Sequence, residues 1–276
     1  MSGAPDARLS LANLPENVAL VRQALTGLAA SIGIEEGLLS DIKTAVSEAC
    51  NNVVLHAYEN GGSGPLDVYV CTSGHDLEVV VSDRGTGIQP RAPERDAAMQ
   101  GVGLSLIQAL TQSVEFGGGV GEGTEVRMAF RSDSALDVPT ASGNGDHAEL
   151  PPPEGDTVVS ASDGLAAPVL GSVVAVLAAR AGFSVERLSD AQLVTDAIAA
   201  HARDAFAGRR VIVAIDDSAR RLELRFGPLM PGGGEQLVAA SAVGGLAPVL
   251  ERLADEMATE DRGEHEELRL VISDAR

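Results

Sequence analysis

The chain contains a single lysine, Lys43, among its 20 basic residues. That excludes a Walker-type phosphate loop, whose lysine reaches the β- and γ-phosphates. Arginine does not make up the deficit of positive charge, because 40 Asp and Glu leave a formal net charge of −20. Nucleic-acid binding draws its affinity from clustered Lys and Arg, so this balance argues against it. Cysteine is scarce as well. Cys50 and Cys71 fall on an expected helix and an expected strand, with no His or Cys at ligand spacing, and read as free thiols rather than a disulfide or zinc site. No apolar run reaches the roughly 20 residues of a membrane span, and "MSGAPDARLS" lacks the charged start and apolar core of a secretory signal. A cytoplasmic protein without membrane contact is expected.

What is present suits two globular domains: 276 residues, 45% of them hydrophobic. The stretch "SDSALDVPTASGNGDHAELPPPEGD" is rich in Ser, Gly, Asp and Pro and has no periodicity. It reads as a linker over 132–156 between domains 1–131 and 157–276. In the first half the patterning predicts a strand near "RLSLAN", helices over 16–32 and around "SEACNN", strands "PLDVYVCT" and "DLEVVVSD", and a glycine-marked loop over 84–101. A helix from Val102 to about Gln112 and strands near "SVEFGG" and "TEVRMAF" complete it. The expected fold class is an α/β two-layer sandwich, with a mixed, mainly antiparallel sheet and helices on one face. The same order returns after the linker. "GIEEGLLSD" and "GFSVERLSD" begin 149 residues apart with Leu-Ser-Asp in register, and "VGGLAPVLERLADEM" resembles "GVGLSLIQALTQSV", so a duplicated domain is expected.

In "LLSDIKTAVSEACNNVVLHAYE", residues Leu38, Ile42, Ala45, Val46, Ala49, Val53 and Ala57 recur at steps of three and four, as one buried stripe requires. Glu48 and Asn52 lie four apart beside that stripe. A carboxylate there can take a proton from an attacking hydroxyl, and a carboxamide can offer oxygen to Mg²⁺. Three further stretches carry complementary chemistry. Asp83 in "SDRGTGI" can accept a hydrogen bond from an exocyclic amine, and Gly85 and Gly87 let the chain turn close to a ligand. Gly101 and Gly103 in "QGVGLSL", at an expected helix start, would leave amides free for phosphates. Thr124 opens the last strand.

These four stretches, in this order, resemble the N, G1, G2 and G3 boxes of the GHKL, or Bergerat-fold, ATPase superfamily. "PENVALVRQAL" followed by "DIKTAVSEACNNVVLHAYE" resembles, more narrowly, the anti-sigma-factor serine kinases of bacterial partner-switching systems. The resemblance covers about residues 8–131 and implies ATP and Mg²⁺ as cofactors, with Glu48 as catalytic base and Asn52 on the metal. It implies Asp83, Gly85 and Gly87 around the adenine, Gly101 and Gly103 in a phosphate lid with the segment "QPRAPERDAAMQ", and Thr124 at the adenine end. His56, four residues after Asn52, matches a histidine common in that family and is a candidate pocket residue. The implied activity is phosphorylation of a serine on a small anti-anti-sigma partner of the STAS type, with sequestration of a sigma factor. A nucleotide-dependent binding switch without catalysis and a histidine-kinase-like ATPase module are the alternatives. In the second half Ala197 stands for Glu48 and His201 for Asn52, and "LRFGPLMPG" replaces "SDRGTG", with only Gly245 and Leu246 still like the lid. A degenerate copy without the nucleotide chemistry, serving as an intramolecular pseudo-dimer partner, is therefore expected.

Overall fold

A computed structural model of the chain describes residues 4–58, 62–87, 97–119, 121–137, 155–242 and 247–274, with the side chains of 97–102 left aside. The chain divides into two compact units, Met1–Val138 and Pro139–Arg276.

The first unit runs β1 (Ala7–Ala12), α1 (Pro15–Ile32), α2 (Glu36–Asn52), a π-helical turn (Val53–Ala57), β2 (Pro65–Ser73), β3 (Asp76–Asp83), α3 (Ala97–Leu110), β4 (Ser113–Gly119) and β5 (Gly123–Arg131). Its strands lie in the order β4-β5-β3-β2-β1, every neighbour antiparallel. Alternation decides which side faces inward: Leu9 and Leu11, Val68 and Val70, Val79 and Val81, and Met128 and Phe130 are buried with Leu20, Leu28 and Ile32 of α1 and Ile42, Val46 and Ala49 of α2. Pro15 starts α1, where its missing N–H costs nothing, and Gly33 ends it at φ 74°.

Two expectations change here. α3 begins at Ala97, five residues before Val102, because "AAMQ" is a run of good helix formers. Gly101 and Gly103 thus lie inside the helix, and amides beyond its first four residues belong to helical hydrogen bonds rather than standing free at a helix start. The expected linker, too, begins with a bound stretch. Ser132, Leu136 and Asp137 donate their amides to the carbonyls of His75, Gly74 and Ile32 at 2.8, 2.8 and 3.1 Å, and Leu136 is buried in the first unit. The part of the expected lid over 89–96 lies outside the described residues, as does most of the linker.

The second unit runs β6 (Thr157–Ser162), α4 (Asp163–Arg180), α5 (Val185–Ala200), α6 (Ala202–Ala205), β7 (Arg210–Ser218), β8 (Arg221–Leu229), α7 (Gly233–Ala240), α8 (Val249–Leu253), β9 (Glu256–Asp261) and β10 (Glu266–Ser273). Its strands are ordered β6-β7-β8-β10-β9, again antiparallel throughout. Reading β6 for β1 and so on, this is the order of the first unit. Details repeat as well. Gly33 and Gly182 end their helices at φ 74° and 79°, and the next residues, Ile34 and Phe183, both donate to the carbonyl five back, at 3.0 Å. The third residue of β3, Glu78, meets Arg127 at 2.7 Å, and the third residue of β8, Glu223, meets Arg269 at 2.8 Å.

The long helix expected over "VGGLAPVLERLADEM" is reduced to α8. Pro248 precedes it and bars Ala247 from helical geometry, while Ala254 turns extended toward β9. Gly245 and Leu246 lie outside the described residues. α7, for which the sequence reading gave no helix, is held at its N-terminus by the Glu266 carboxylate, which accepts from the amides of Gly232 at 2.8 Å and Gly234 at 3.3 Å. α4 is long and apolar enough, by length and composition, to cross a membrane, at a mean hydropathy of 1.4. Here it is a core helix, half buried, with Leu165, Val169, Val173 and Leu177 fully covered against β6, β7 and α5.

Glu223 is buried among Arg269, Arg221 and Arg225. The hydrogen bond from Arg269, joined by those from Arg221 and Arg225, outweighs burial and lowers its carboxyl from 4.5 to about 2. A pKa depressed by folding stabilises the native state fully above the unfolded value and ceases to do so as pH falls through the folded one. Glu223→Gln should therefore lower the urea midpoint at pH 7, and the gap to the unsubstituted chain should close between about pH 4.5 and pH 2. A gap independent of pH would contradict the ion-pair origin.

Candidate functional site

The end of α2 passes directly into the π turn, so the chain is wound wider at Val53–Ala57. Single π turns inside helices disturb the regular hydrogen-bond ladder and are frequent at functional sites. The Ala57 carbonyl is committed outside the helix: it accepts the Thr86 amide at 2.8 Å. That bond docks the loop after β3 onto the helix end. The approach is too close for a side chain, since a Cβ on Gly85 would collide with the Ala57 carbonyl. Gly87 adopts φ 76°, and a Cβ there would strike the Gly119 carbonyl on the β4–β5 hairpin.

Asp83, the last residue of β3, is 7% exposed. Its Oδ1 accepts the amides of Gly85 at 2.7 Å and Thr124 at 3.3 Å, while Oδ2 has no partner among the described residues. A carboxylate oriented in this way through one oxygen keeps the other available for a donor on a ligand. Asp83 and Thr124 line a cavity of about 180 Å³ together with Asn52, His56 and Gly87. Ala49, Val53, Ala57, Val81 and Val126 supply its apolar walls. A few polar groups converging in a largely apolar cleft are the arrangement expected of a small-molecule site.

The predicted residues are thus drawn together to different degrees. Asn52, His56, Asp83, Gly87 and Thr124 line one cavity, and Gly85 shapes its loop. Glu48, one turn before Asn52, lies instead against α3: a Cβ on Gly103 would come within 3.0 Å of its Oε2. Gly101 is placed only as part of the α3 backbone. Among the described residues no group of three or more His, Cys, Asp and Glu could hold a metal; Asn52, the residue expected to meet Mg²⁺, lines the cavity.

Sequence reasoning missed the apolar walls as site residues, because the helical period marks Ala49 and Val53 only as core. It also missed Tyr58. The tyrosine hydroxyl donates to the Pro65 carbonyl at 2.6 Å and accepts the Arg84 amide at 3.1 Å.

One backbone contact of this arrangement has a counterpart in the second unit. Met230 donates its amide to the Ala205 carbonyl at 2.8 Å, as Thr86 does to Ala57. The eighth residue of β3 is Asp83, and the eighth of β8 is Pro228. Ala197 and His201 carry neither the carboxylate nor the carboxamide of Glu48 and Asn52.

Residues 11–130 match the family described as "Histidine kinase-like ATPase domain". The serine-protein kinase RsbW of Bacillus licheniformis is 34% identical over 112 residues, 36% of this chain and 70% of that protein. The chain therefore belongs to the family of the RsbW serine-protein kinases and their anti-sigma relatives, within the GHKL-like ATPases. An anti-sigma F factor of Anoxybacillus flavithermus is 29% identical over 128 residues, 44% of this chain and 88% of that protein. Among solved structures, the RsbU and RsbW domains of Rv1364c from Mycobacterium tuberculosis align with 47% of this chain and 31% of that chain, at 25% identity and a TM-score of 0.37.

Replacing Gly87 with alanine should cost at least about 1–2 kcal/mol, the penalty of a left-handed conformation on a residue bearing Cβ, before the collision with Gly119 is added. Urea unfolding would show it. An unchanged midpoint would mean the loop can relax away from the hairpin.

Proposed function

We propose that the chain is an ATP-dependent serine protein kinase and anti-sigma factor, whose nucleotide chemistry resides in residues 1–131. The observation that carries this reading is the Asp83 carboxylate, fixed by the amides of Gly85 and Thr124 in the lining of a largely apolar cavity that also includes Asn52. Asp83 accepts the exocyclic amine of adenine, Gly85 and Gly87 let the loop pass close beside the base, and Thr124 fixes the carboxylate from the sheet side. His56 lines the same cavity. Asn52 holds Mg²⁺, which when bound neutralises phosphate charge. Glu48, one turn away and against Gly103, takes the proton from the attacking serine hydroxyl. Gly101 and Gly103 give α3 a surface that phosphates can approach closely, and the lid role of "QPRAPERDAAMQ" stays part of the proposal.

The substrate serine lies on an anti-anti-sigma partner of the STAS type, and the sequestered protein is a sigma factor, which places the chain in the cytoplasm. Phosphorylation releases the partner by adding charge at its interface. We read residues 157–276 as a degenerate copy of the same domain. Support comes from the shared strand order, the repeated helix-end glycines and the matched Glu78–Arg127 and Glu223–Arg269 pairs.

Calorimetric titration of the full chain with ATP and Mg²⁺ should give one site, lost in Asp83→Ala; two sites would overturn the degenerate reading, and none would overturn the nucleotide reading. Glu48→Ala should bind ATP normally yet lose phosphotransfer to a purified STAS partner by at least about 10²-fold. Normal transfer would remove Glu48 from the chemistry. ATP binding with no transfer by the unsubstituted chain would leave a nucleotide-dependent binding switch.

A further inference from the structure

The geometry points to Tyr58 as a positioning residue for the base-recognising carboxylate Asp83, an inference that rests on reading the cavity as a nucleotide site. Tyr58 follows the π turn, and its hydroxyl uses both its donor and its acceptor. It gives its proton to the Pro65 carbonyl at 2.6 Å, at the start of β2, and receives the Arg84 amide at 3.1 Å. Arg84 is the residue immediately after Asp83, so this bond fixes the peptide plane that leads out of the carboxylate. The next two residues are held in turn, Gly85 by Asp83 Oδ1 at 2.7 Å and Thr86 by the Ala57 carbonyl at 2.8 Å. Two consecutive residues of the helix end, Ala57 and Tyr58, therefore set the path of the loop on either side of Gly85.

The tyrosine is itself anchored. A Cβ on Gly64 would overlap its ring, and Gly64 is held by Asn13, whose Oδ1 accepts the Gly64 amide at 3.0 Å while the Asn13 amide donates to the Gly64 carbonyl at 3.0 Å. The ring is thus packed against an anchored backbone, with its hydroxyl bonded to the Arg84 amide. A hydroxyl placed this way orients the groups it touches more than it stabilises the fold, because water can replace it at the exposed Arg84 amide.

The second unit separates the two roles. There the Ala205 carbonyl still receives a loop amide, and the residue after it is again aromatic, but it is Phe206, which is buried where Tyr58 is only partly so. The unit that has Pro228 in place of Asp83 has also dispensed with the hydroxyl, while keeping the ring and the backbone bond. Folding of this helix end accordingly requires an aromatic residue and not its oxygen. The oxygen accompanies the carboxylate.

The test is Tyr58→Phe in the full chain, titrated in the presence of Mg²⁺ with ATP and with purine riboside triphosphate, which lacks the 6-amino group. Loss of one positioning hydrogen bond should weaken ATP binding about fivefold to tenfold and leave the analogue unchanged, so that discrimination between the two narrows. An equal loss for both ligands, or undiminished ATP affinity, would overturn the inference. Asp83→Ala, measured beside it, separates the two levels. If it too retains ATP affinity, Asp83 is not the base-recognising carboxylate, and if the unsubstituted chain binds no ATP the nucleotide reading fails; if Asp83→Ala loses the discrimination while Tyr58→Phe keeps it, Tyr58 alone is misassigned.

Discussion

The carbonyl of Ala57 is the contact on which the rest of the site depends. In an uninterrupted α-helix it would be directed along the axis toward an amide of the next turn. Because the helix widens into a π turn at Val53–Ala57 and ends at Tyr58, that oxygen instead receives the Thr86 amide from a loop nearly thirty residues further on. Everything at the mouth of the cavity is built on this junction. Gly85 must lack a side chain to reach it, Gly87 must turn through positive φ to leave it, and Asp83 is held in the short span between the end of β3 and the docked loop.

A similar junction occurs in the second unit. Met230 and Ala205 form the equivalent bond in the second unit, so the backbone solution survives there. The side chains around it differ: proline at the eighth position of β8 where β3 has the carboxylate, phenylalanine after Ala205 where tyrosine follows Ala57, and alanine and histidine at positions 197 and 201. Backbone hydrogen bonds and core packing are what the fold requires, and these tolerate such changes. The outer face of the second sheet shows the complementary case. Glu223 and its three arginines, with Asp216 and Glu256 pairing Arg225 and Arg269, make a network of ion pairs on the sheet.

Much of this was legible in the sequence. The stripe from Ile42 to Ala57 marked the buried face of α2, strand alternation gave the sheet, and the order of polar and glycine motifs pointed to the ATPase family. The errors fell where local composition misleads. Glycines at 101 and 103 suggested a helix start, but the alanines upstream extend α3; α7 had no local signal, its N-terminus being held by a distant carboxylate, Glu266.

By itself, then, the amino-acid sequence determined which residues could carry chemistry, because carboxylate, carboxamide and glycine are properties of single positions and their periodicity is local. Only the tertiary structure decided which atoms of those residues meet. The clamp on Asp83 joins positions 41 residues apart, and the Tyr58 hydroxyl reaches an amide 26 residues away. No local pattern encodes such pairings, since they arise from the register of β3 against β5 and from the width of one helical turn.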